Sequence, residues 1–136
     1  MKKKEISAFN EFISLFDFAN ISFGGDEFIL LKSCGITKIT EPIEDKTAFE
    51  ALQNHVHLFD NVKKSQQDEV CELSEKLGKL LLSALKQSFP DKHFVVFVTV
   101  DSEVIIRFHQ KWSGEPWYYI TDDENAYEAK LLWFDC

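Results

Sequence analysis

The sequence predicts an α+β fold, with three or four helices packed on one antiparallel β-sheet of three to five strands. Residues 94–108 contain two runs of β-branched and aromatic side chains separated by a short polar loop, which indicates adjoining strands. Residues 65–89 carry an apolar stripe at helical spacing. A length of 136 residues fits a single domain, 1–136, with one ordinary core.

The centre of the predicted sheet is a hairpin. Phe94–Val100 is apolar except at Thr99, which indicates an internal strand covered on both sides. Val104–Phe108 alternates between two faces. A three-residue loop would place the even-numbered residues of both strands on one face, whereas a two-residue loop would exchange the faces of the first strand. The sequence leaves both registers open.

Two further strands are predicted towards the carboxyl end. Gly114 and Pro116 mark a turn, and Trp117–Ile120 follows it as a third strand. The segment Ala126–Phe134 begins with helix-forming residues and ends with large apolar ones. Both conformations remain open there, and we favour a strand for the last five residues.

The amino-terminal part predicts a helix, a turn and two short elements. Apolar residues at three- and four-residue steps indicate an amphipathic helix over residues 4–18. Gly24 and Gly25 then form a turn. Asp26–Lys32 is predicted as a short capped helix, although its apolar centre is too short to distinguish a helix from a buried strand. Ile36–Thr40 is a candidate brief strand.

Two more helices are predicted in the middle of the chain. Thr47 and Glu50 match a capping box, in which a hydroxyl and a carboxylate satisfy free backbone N–H groups. The helix that follows would use one apolar face, formed by Phe49, Leu52, Val56 and Phe59. Ser65–Phe89 predicts the longest helix, about 36 Å at 1.5 Å per residue, which we expect to cover the sheet.

The charge distribution restricts the partners of the chain. The formal net charge is −8, and residues 112–136 alone carry six acidic side chains against one lysine. That field repels phosphate backbones and anionic membranes and attracts basic proteins, so we expect no direct nucleic-acid binding and no membrane binding. Three cysteines without CxxC spacing and the lack of a long apolar run predict a cytoplasmic protein with reduced thiols. The oligomeric state is not indicated.

The candidate catalytic residues do not form a recognisable set. His55 and His57 point about 200° apart on a helix, so they share a metal ion only if the helix ends near residue 54. Asp60 does not change this interpretation. Cys71 falls near an apolar helix face, where thiols are usually inert. The sequence therefore predicts no enzyme, no metal and no cofactor.

A row of basic side chains supports an alternative hypothesis. Arg107, His109 and Lys111 share one strand face. They would bind an anion or pair with Asp122–Glu124, and internal neutralisation is the favoured interpretation. The alternative function is a small-ligand-binding or metal-dependent hydrolytic domain that uses His109, Arg107 and the pair His55 and His57.

Aromatic residues beside acidic ones favour a protein-binding surface. Tryptophans supply anchors at protein interfaces, and carboxylates supply a polar rim. The same aromatic residues would also serve in the core. The predicted partner-binding residues are Trp112, Glu115, Trp117, Asp122, Asp123, Glu124 and Glu128.

The run from Phe108-His109 to Gly114-Glu115-Pro116-Trp117-Tyr118 resembles small immunity proteins of bacterial polymorphic-toxin and contact-dependent growth-inhibition systems. The resemblance covers roughly the last 45 residues and transfers no functional residue by position. It implies a cytoplasmic inhibitor that binds one cognate toxin domain, often a basic nuclease, and occludes its active site. The acidic surface would speed the capture of such a partner.

Overall fold

A computed structural model describes residues 16–118, the backbone of 130–135 and positions 10, 12 and 14. The α+β class is confirmed, but the described strands form two antiparallel sheets instead of the single predicted sheet. Positions 10, 12 and 14 are helical, within the predicted first helix. The described strands and α-helices are β1 (Phe18–Phe23), β2 (Asp26–Leu31), α1 (Lys46–Gln53), β3 (His55–Phe59), α2 (Gln67–Ser88), β4 (Phe94–Val100), β5 (Val104–Gln110) and β6 (Lys130–Asp135).

The larger sheet has four strands in the order β3-β5-β4-β6, all antiparallel. Val100 pairs with Val104 and Val98 with Ile106, so the loop has three residues and the first of the two predicted registers is confirmed. Strand β6 pairs with β4, which confirms the strand predicted at the carboxyl end. Trp117 and Tyr118 lie outside any strand, and the rest of the predicted third strand falls outside the described residues.

Helix α2 covers one face of this sheet, as the sequence predicts. Its buried leucines Leu77, Leu81 and Leu85 share a core with the even-numbered side chains of β4 and β5. Burial of three such side chains stabilises the packing by roughly 1.5–3 kcal/mol each. Among the described residues, no helix combines the length and the apolar character needed to cross a bilayer.

The smaller sheet is the hairpin β1–β2, and here the predicted helix over Asp26–Lys32 is wrong. Ile29 and Leu31 belong to the core under α2, whereas Phe28 and Leu30 belong to a second core. Successive apolar residues therefore point to opposite faces, and both faces are buried. A strand meets this requirement, while a helix would turn the four side chains around one axis.

The first of the two helices predicted in the middle of the chain is shorter than its apolar pattern suggests. Helix α1 ends at Gln53, and residues predicted to continue it form β3, which pairs with β5. Asn54 leaves the helical conformation with φ −92° and ψ 67°. Its side chain bonds to the backbone of β2, so a tertiary contact ends the helix.

The second core joins the hairpin to the connection that follows it. Its buried members are Ile21, Phe28, Leu30 and Ile39, and Phe49 and Trp112 pack against them. The predicted brief strand at residues 36–40 is absent, since this stretch has no regular structure. Ile39 is nevertheless buried, and this burial explains the apolar pattern that suggested a strand.

The tight turn of the β1–β2 hairpin depends on two glycines with positive φ, 60° at Gly24 and 87° at Gly25. A two-residue turn of this kind requires positive φ at both positions. No atom lies within 4 Å of the position that a Cβ would take, so the cost of a side chain is conformational.

Gly25→Ala should lower the free energy of unfolding by about 1 kcal/mol, measured by urea denaturation. Gly24→Asn is the matched control and should change it by less than about 0.5 kcal/mol, because asparagine tolerates this conformation. Equal losses in both variants would contradict the prediction.

Candidate functional site

A buried carboxylate lies at the junction of the two sheets. Glu50 of α1 is fully buried and accepts four hydrogen bonds. The N–H of Ile29 and the side-chain amide of Gln110 donate to Oε2 at 3.0 and 2.9 Å. The backbone N–H of Gln110 and the indole N–H of Trp112 donate to Oε1 at 2.8 and 2.6 Å. Both carboxylate oxygens are therefore saturated by this chain.

Asn54 makes a similar bridge one helical turn later. Its Oδ1 accepts from the N–H of Leu31 at 2.8 Å, and its amide donates to the carbonyl of Ile29 at 2.8 Å. Its own carbonyl accepts from the N–H of Phe108 at 3.2 Å. Strand β3 ends its pairing with β5 at Arg107, so Asn54 and Glu50 satisfy the N–H groups of β5 beyond that point. Helix α1 thereby joins the two sheets through side chains.

The environment of Glu50 acts on its pKa in two directions. Burial raises the pKa above the ordinary value of 4.5, and the bonds from Gln110, Ile29 and Trp112 oppose that rise without cancelling it.

The predicted capping box is wrong, because the side chain of Asp45 caps α1 by accepting from the N–H of Ala48 at 2.9 Å. Glu50 instead points into the protein. There its carboxylate accepts a hydrogen bond from the unpaired edge of β2, where a buried N–H group needs a partner.

Trp112, a predicted partner anchor, makes extensive contacts within the chain. Its ring lies 5.2 Å from that of Phe28 between centroids, and its indole N–H is bonded to Glu50. The Nζ of Lys46 lies 5.0 Å from the centre of the ring. These contacts give Trp112 a structural role in the second core, and its role in partner binding stays a prediction.

Glu115, another predicted contact, binds the first turn of α1. It accepts from the N–H of Thr47 at 2.7 Å, from the Thr47 hydroxyl at 2.6 Å and from the N–H of Lys46 at 3.3 Å. Burial is the largest single influence and raises its pKa, but the bonds from Thr47 and Lys46 together hold the pKa below the ordinary value of 4.5. A carboxylate at free N–H groups of a helix start stabilises the helix.

Trp117 completes the described part of the predicted contact surface. It is half-buried, and the Nζ of Lys111 lies 5.7 Å from the centre of its ring. The remaining predicted contacts, Asp122, Asp123, Glu124 and Glu128, lie outside the described residues. The structure therefore brings Trp112 and Glu115 against α1, and it places Trp117 two residues beyond Glu115.

His109, the centre of the alternative hypothesis, is fully buried. Its Nδ1 lies 2.8 Å from the carbonyl of Gln110, and its Nε2 accepts from the N–H of Tyr118 at 3.3 Å. This arrangement assigns the proton to Nδ1 and leaves both ring nitrogens engaged. Burial lowers the pKa of His109 below its ordinary value of 6.5, which favours the neutral ring. The bonded imidazole holds residue 118 over the sheet.

The other residues of the alternative hypothesis lie at the β3 edge. His55 and His57 share a face of β3, with ring centroids 5.5 Å apart. Arg107 is opposite His55 in the sheet register and donates from Nη1 to the carbonyl of Ala51 at 3.0 Å. Its Nε is buried, and it has no hydrogen-bond partner within the described part of the chain. His57 contacts Glu103, whereas the ring nitrogens of His109 are engaged by Gln110 and Tyr118.

Sequence reasoning assigned Glu50 to a capping box and so missed its burial, and it missed the contact of Glu103 with His57. Glu50 is flanked by Phe49 and Ala51 at the start of an apolar helix face, and this position was the available signal of burial. Glu103 lies 46 residues after its partner His57, and nothing local connects the two. Partners at such separations become visible only when the strands are paired.

Glu50→Gln should lower the free energy of unfolding at pH 7 by about 3 kcal/mol, because the amide NH₂ faces donors that the carboxylate oxygen accepted. Urea denaturation measures the change, and Glu72→Gln on the exposed side of α2 is the control, expected within about 0.5 kcal/mol of the unchanged protein. A loss below about 1 kcal/mol would refute the role of Glu50 at the junction.

The pH dependence of the free energy of unfolding gives a second test of the Glu50→Gln variant. Because the pKa of Glu50 is raised on folding, the unfolded chain releases this proton first as the pH increases. The titration of Glu50 therefore lowers stability as the pH rises from about 4.5 through the higher folded pKa, with no further change above it. This component should be missing from Glu50→Gln.

Glu115→Gln should weaken the start of α1 by about 1 kcal/mol at pH 7, measured by urea denaturation. The pKa of Glu115 is lowered on folding, so its charged form stabilises the protein above about pH 4.5. That contribution is lost as the pH falls through the folded pKa, and the two proteins should then converge. Glu41→Gln, an exposed position shortly before α1, should show no such convergence.

The comparisons with known proteins give one match. A family model described as "Uncharacterized protein PM0498 family" matches residues 14–136. No curated protein and no solved structure matches the chain. Because the family model spans most of the sequence, the chain belongs to the uncharacterized protein PM0498 family.

Proposed function

We propose that this chain is a cytoplasmic immunity protein that binds a basic, nuclease-type toxin domain and occludes its active site. The observation that carries the proposal is the concentration of negative charge, with six acidic residues against one lysine in residues 112–136 of a chain of net charge −8. A nuclease active site is itself basic, because it binds phosphate backbones. An acidic inhibitor therefore matches the charge of the site that it must block.

The attachment of residues 112–118 to α1 and β5 supports an acidic binding surface in residues 112–136. Trp112 bonds to Glu50, Glu115 bonds to the first turn of α1, and the N–H of Tyr118 bonds to His109. Beyond residue 129, β6 pairs with β4. The acidic stretch is thus flanked on both sides by segments that are attached to the rest of the chain. Anchoring of this kind reduces the entropy lost when a surface binds its partner.

The buried titratable residues support binding over catalysis. Glu50 and His109 have lowered exposure and shifted pKa values, which are properties often found in active sites. Their polar atoms are nevertheless engaged by the chain itself, through β2, β5 and Trp112 in one case and through Gln110 and Tyr118 in the other. These contacts account for both residues as parts of the fold.

The proposed contact surface consists of Trp117 with Asp122, Asp123, Glu124 and Glu128. Trp112 and Glu115 remain in it as residues that hold this segment to α1. The half-buried ring of Trp117 would supply apolar contact area, and the carboxylates would steer the encounter with a basic partner. Steering acts on the association rate and weakens with salt.

The test first asks whether the open reading frame upstream of this chain encodes a toxic domain, and it then uses that domain purified as a catalytically inactive variant. The chain should form a 1:1 complex with that domain and restore growth when it is co-expressed with the active form. The triple reversal Asp122→Lys, Asp123→Lys and Glu124→Lys should reduce the association rate constant by about 10-fold or more at low salt. Stopped-flow measurements of association should show a much smaller difference at high ionic strength.

The matched control reverses three exposed acidic residues elsewhere, Glu41, Glu72 and Asp91, to lysine. It changes the net charge by the same amount, so it separates a local patch from overall charge. Equal slowing in both triple variants would reject the patch. Failure of the unchanged chain to bind the neighbouring domain or to restore growth would reject the immunity function itself.

A further inference from the structure

We propose that His57, Asp60 and Glu103 form a binding site for one divalent transition-metal ion of the zinc class. Each residue offers one ligand atom, and these atoms lie within 4.8 Å of one another. The site is at the carboxyl-terminal end of β3 and is exposed to solvent. It is independent of the proposed inhibitor function, because it uses neither the acidic stretch nor Trp117.

The three residues meet because of how β3 and β5 pair. Helix α1 ends at Gln53, so His57 lies on a strand, and Asp60 follows directly after that strand. Glu103 lies in the three-residue loop between β4 and β5. The N–H of Val62 donates to the carbonyl of Ser102 at 2.8 Å and holds this loop against the segment after β3. The backbone therefore fixes the approach of the ligands.

His55 is an independent indication of metal binding. It shares a face of β3 with His57, and the two rings are 5.5 Å apart between centroids. Its Nδ1 lies 2.8 Å from the carbonyl of Leu52, which assigns the proton to Nδ1 and leaves the lone pair on Nε2. An imidazole whose second nitrogen donates to a backbone carbonyl is the usual arrangement of a metal-ligating histidine. The ligand atoms of His57, Asp60 and Glu103 converge without His55, whose Nε2 would add a fourth ligand only after its ring moves towards them.

The donor set selects the class of ion. One or two imidazoles with two carboxylates suit Zn²⁺, whereas Mg²⁺ and Ca²⁺ prefer oxygen ligands alone. Bonds of about 2.0–2.2 Å require the ligand atoms to move closer together, which exposed side chains can do by small rotations. His57 now contacts Glu103 directly through Nδ1. Metal binding replaces that contact with two metal bonds, and the neutral ring of His57 then carries its proton on the nitrogen that does not bind the metal.

Bound metal would connect β3 to the β4–β5 loop. His57 and Glu103 are 46 residues apart in the chain, so one ion would join two distant segments. Because the ligands converge only in the folded protein, the ion stabilises the folded state. We therefore expect Zn²⁺ to raise the unfolding temperature of the unchanged chain.

The experiment is a calorimetric titration of the metal-free chain with Zn²⁺ alone. The unchanged chain should bind one equivalent. His57→Ala and Glu103→Gln should each weaken binding by at least about 10-fold and abolish the rise in unfolding temperature. His93→Ala is the matched control, since His93 is exposed and lies at the end of β4 away from the loop with Glu103, and it should bind as the unchanged chain does. Circular dichroism establishes that each variant is folded, and Glu103→Gln serves if His57→Ala does not fold.

A second titration with Co²⁺ distinguishes these ligands from the free thiols of Cys34 and Cys71. Visible absorption without a thiolate charge-transfer band supports the proposal, and such a band overturns it. Unchanged Zn²⁺ affinity in His57→Ala or Glu103→Gln also overturns it, as does equal weakening in His93→Ala. Displacement of Zn²⁺ by an equal concentration of Mg²⁺ would show that the ligand class is wrong.

Discussion

The buried carboxylate of Glu50 is the interaction on which the arrangement of the two sheets depends. It accepts from β2, from β5 and from Trp112, three parts of the chain that make no common backbone ladder. Burial of a charge is costly, and four donors offset that cost only while all of them are in place. The pKa of Glu50 stays raised because the four hydrogen bonds do not fully offset the free-energy cost of burying the charge.

The same junction determines what residues 112–118 can do. Trp112 and Glu115 have the composition of an exposed binding surface, but one fills the second core and the other binds the start of α1. They hold the segment that precedes the acidic stretch. The bonds of Trp112, Glu115 and Tyr118 therefore attach residues 112–118 to α1 and β5.

The end of α1 connects the junction with β3, the edge strand of the larger sheet next to β5. Asn54 stops the helix by bonding to β2, and the next residues pair with β5. Only this change from helix to strand places His55 and His57 on one face, where Glu103 reaches the second of them. A contact made in the interior thus decides which side chains meet at the surface.

The sequence by itself determined the α+β class, helix α2 and the β4–β5 hairpin without its register, and it favoured a strand at the carboxyl end. Each depends on a long local pattern of apolar residues, and local patterns set secondary structure where they are strong. Only the tertiary structure decided that α1 ends at Gln53, that residues 26–31 form a strand and that Glu50 is buried. The partners of Glu50 lie 21 to 62 residues away and the β2 partner of Asn54 lies 23 residues away, so no neighbouring residue carries that information.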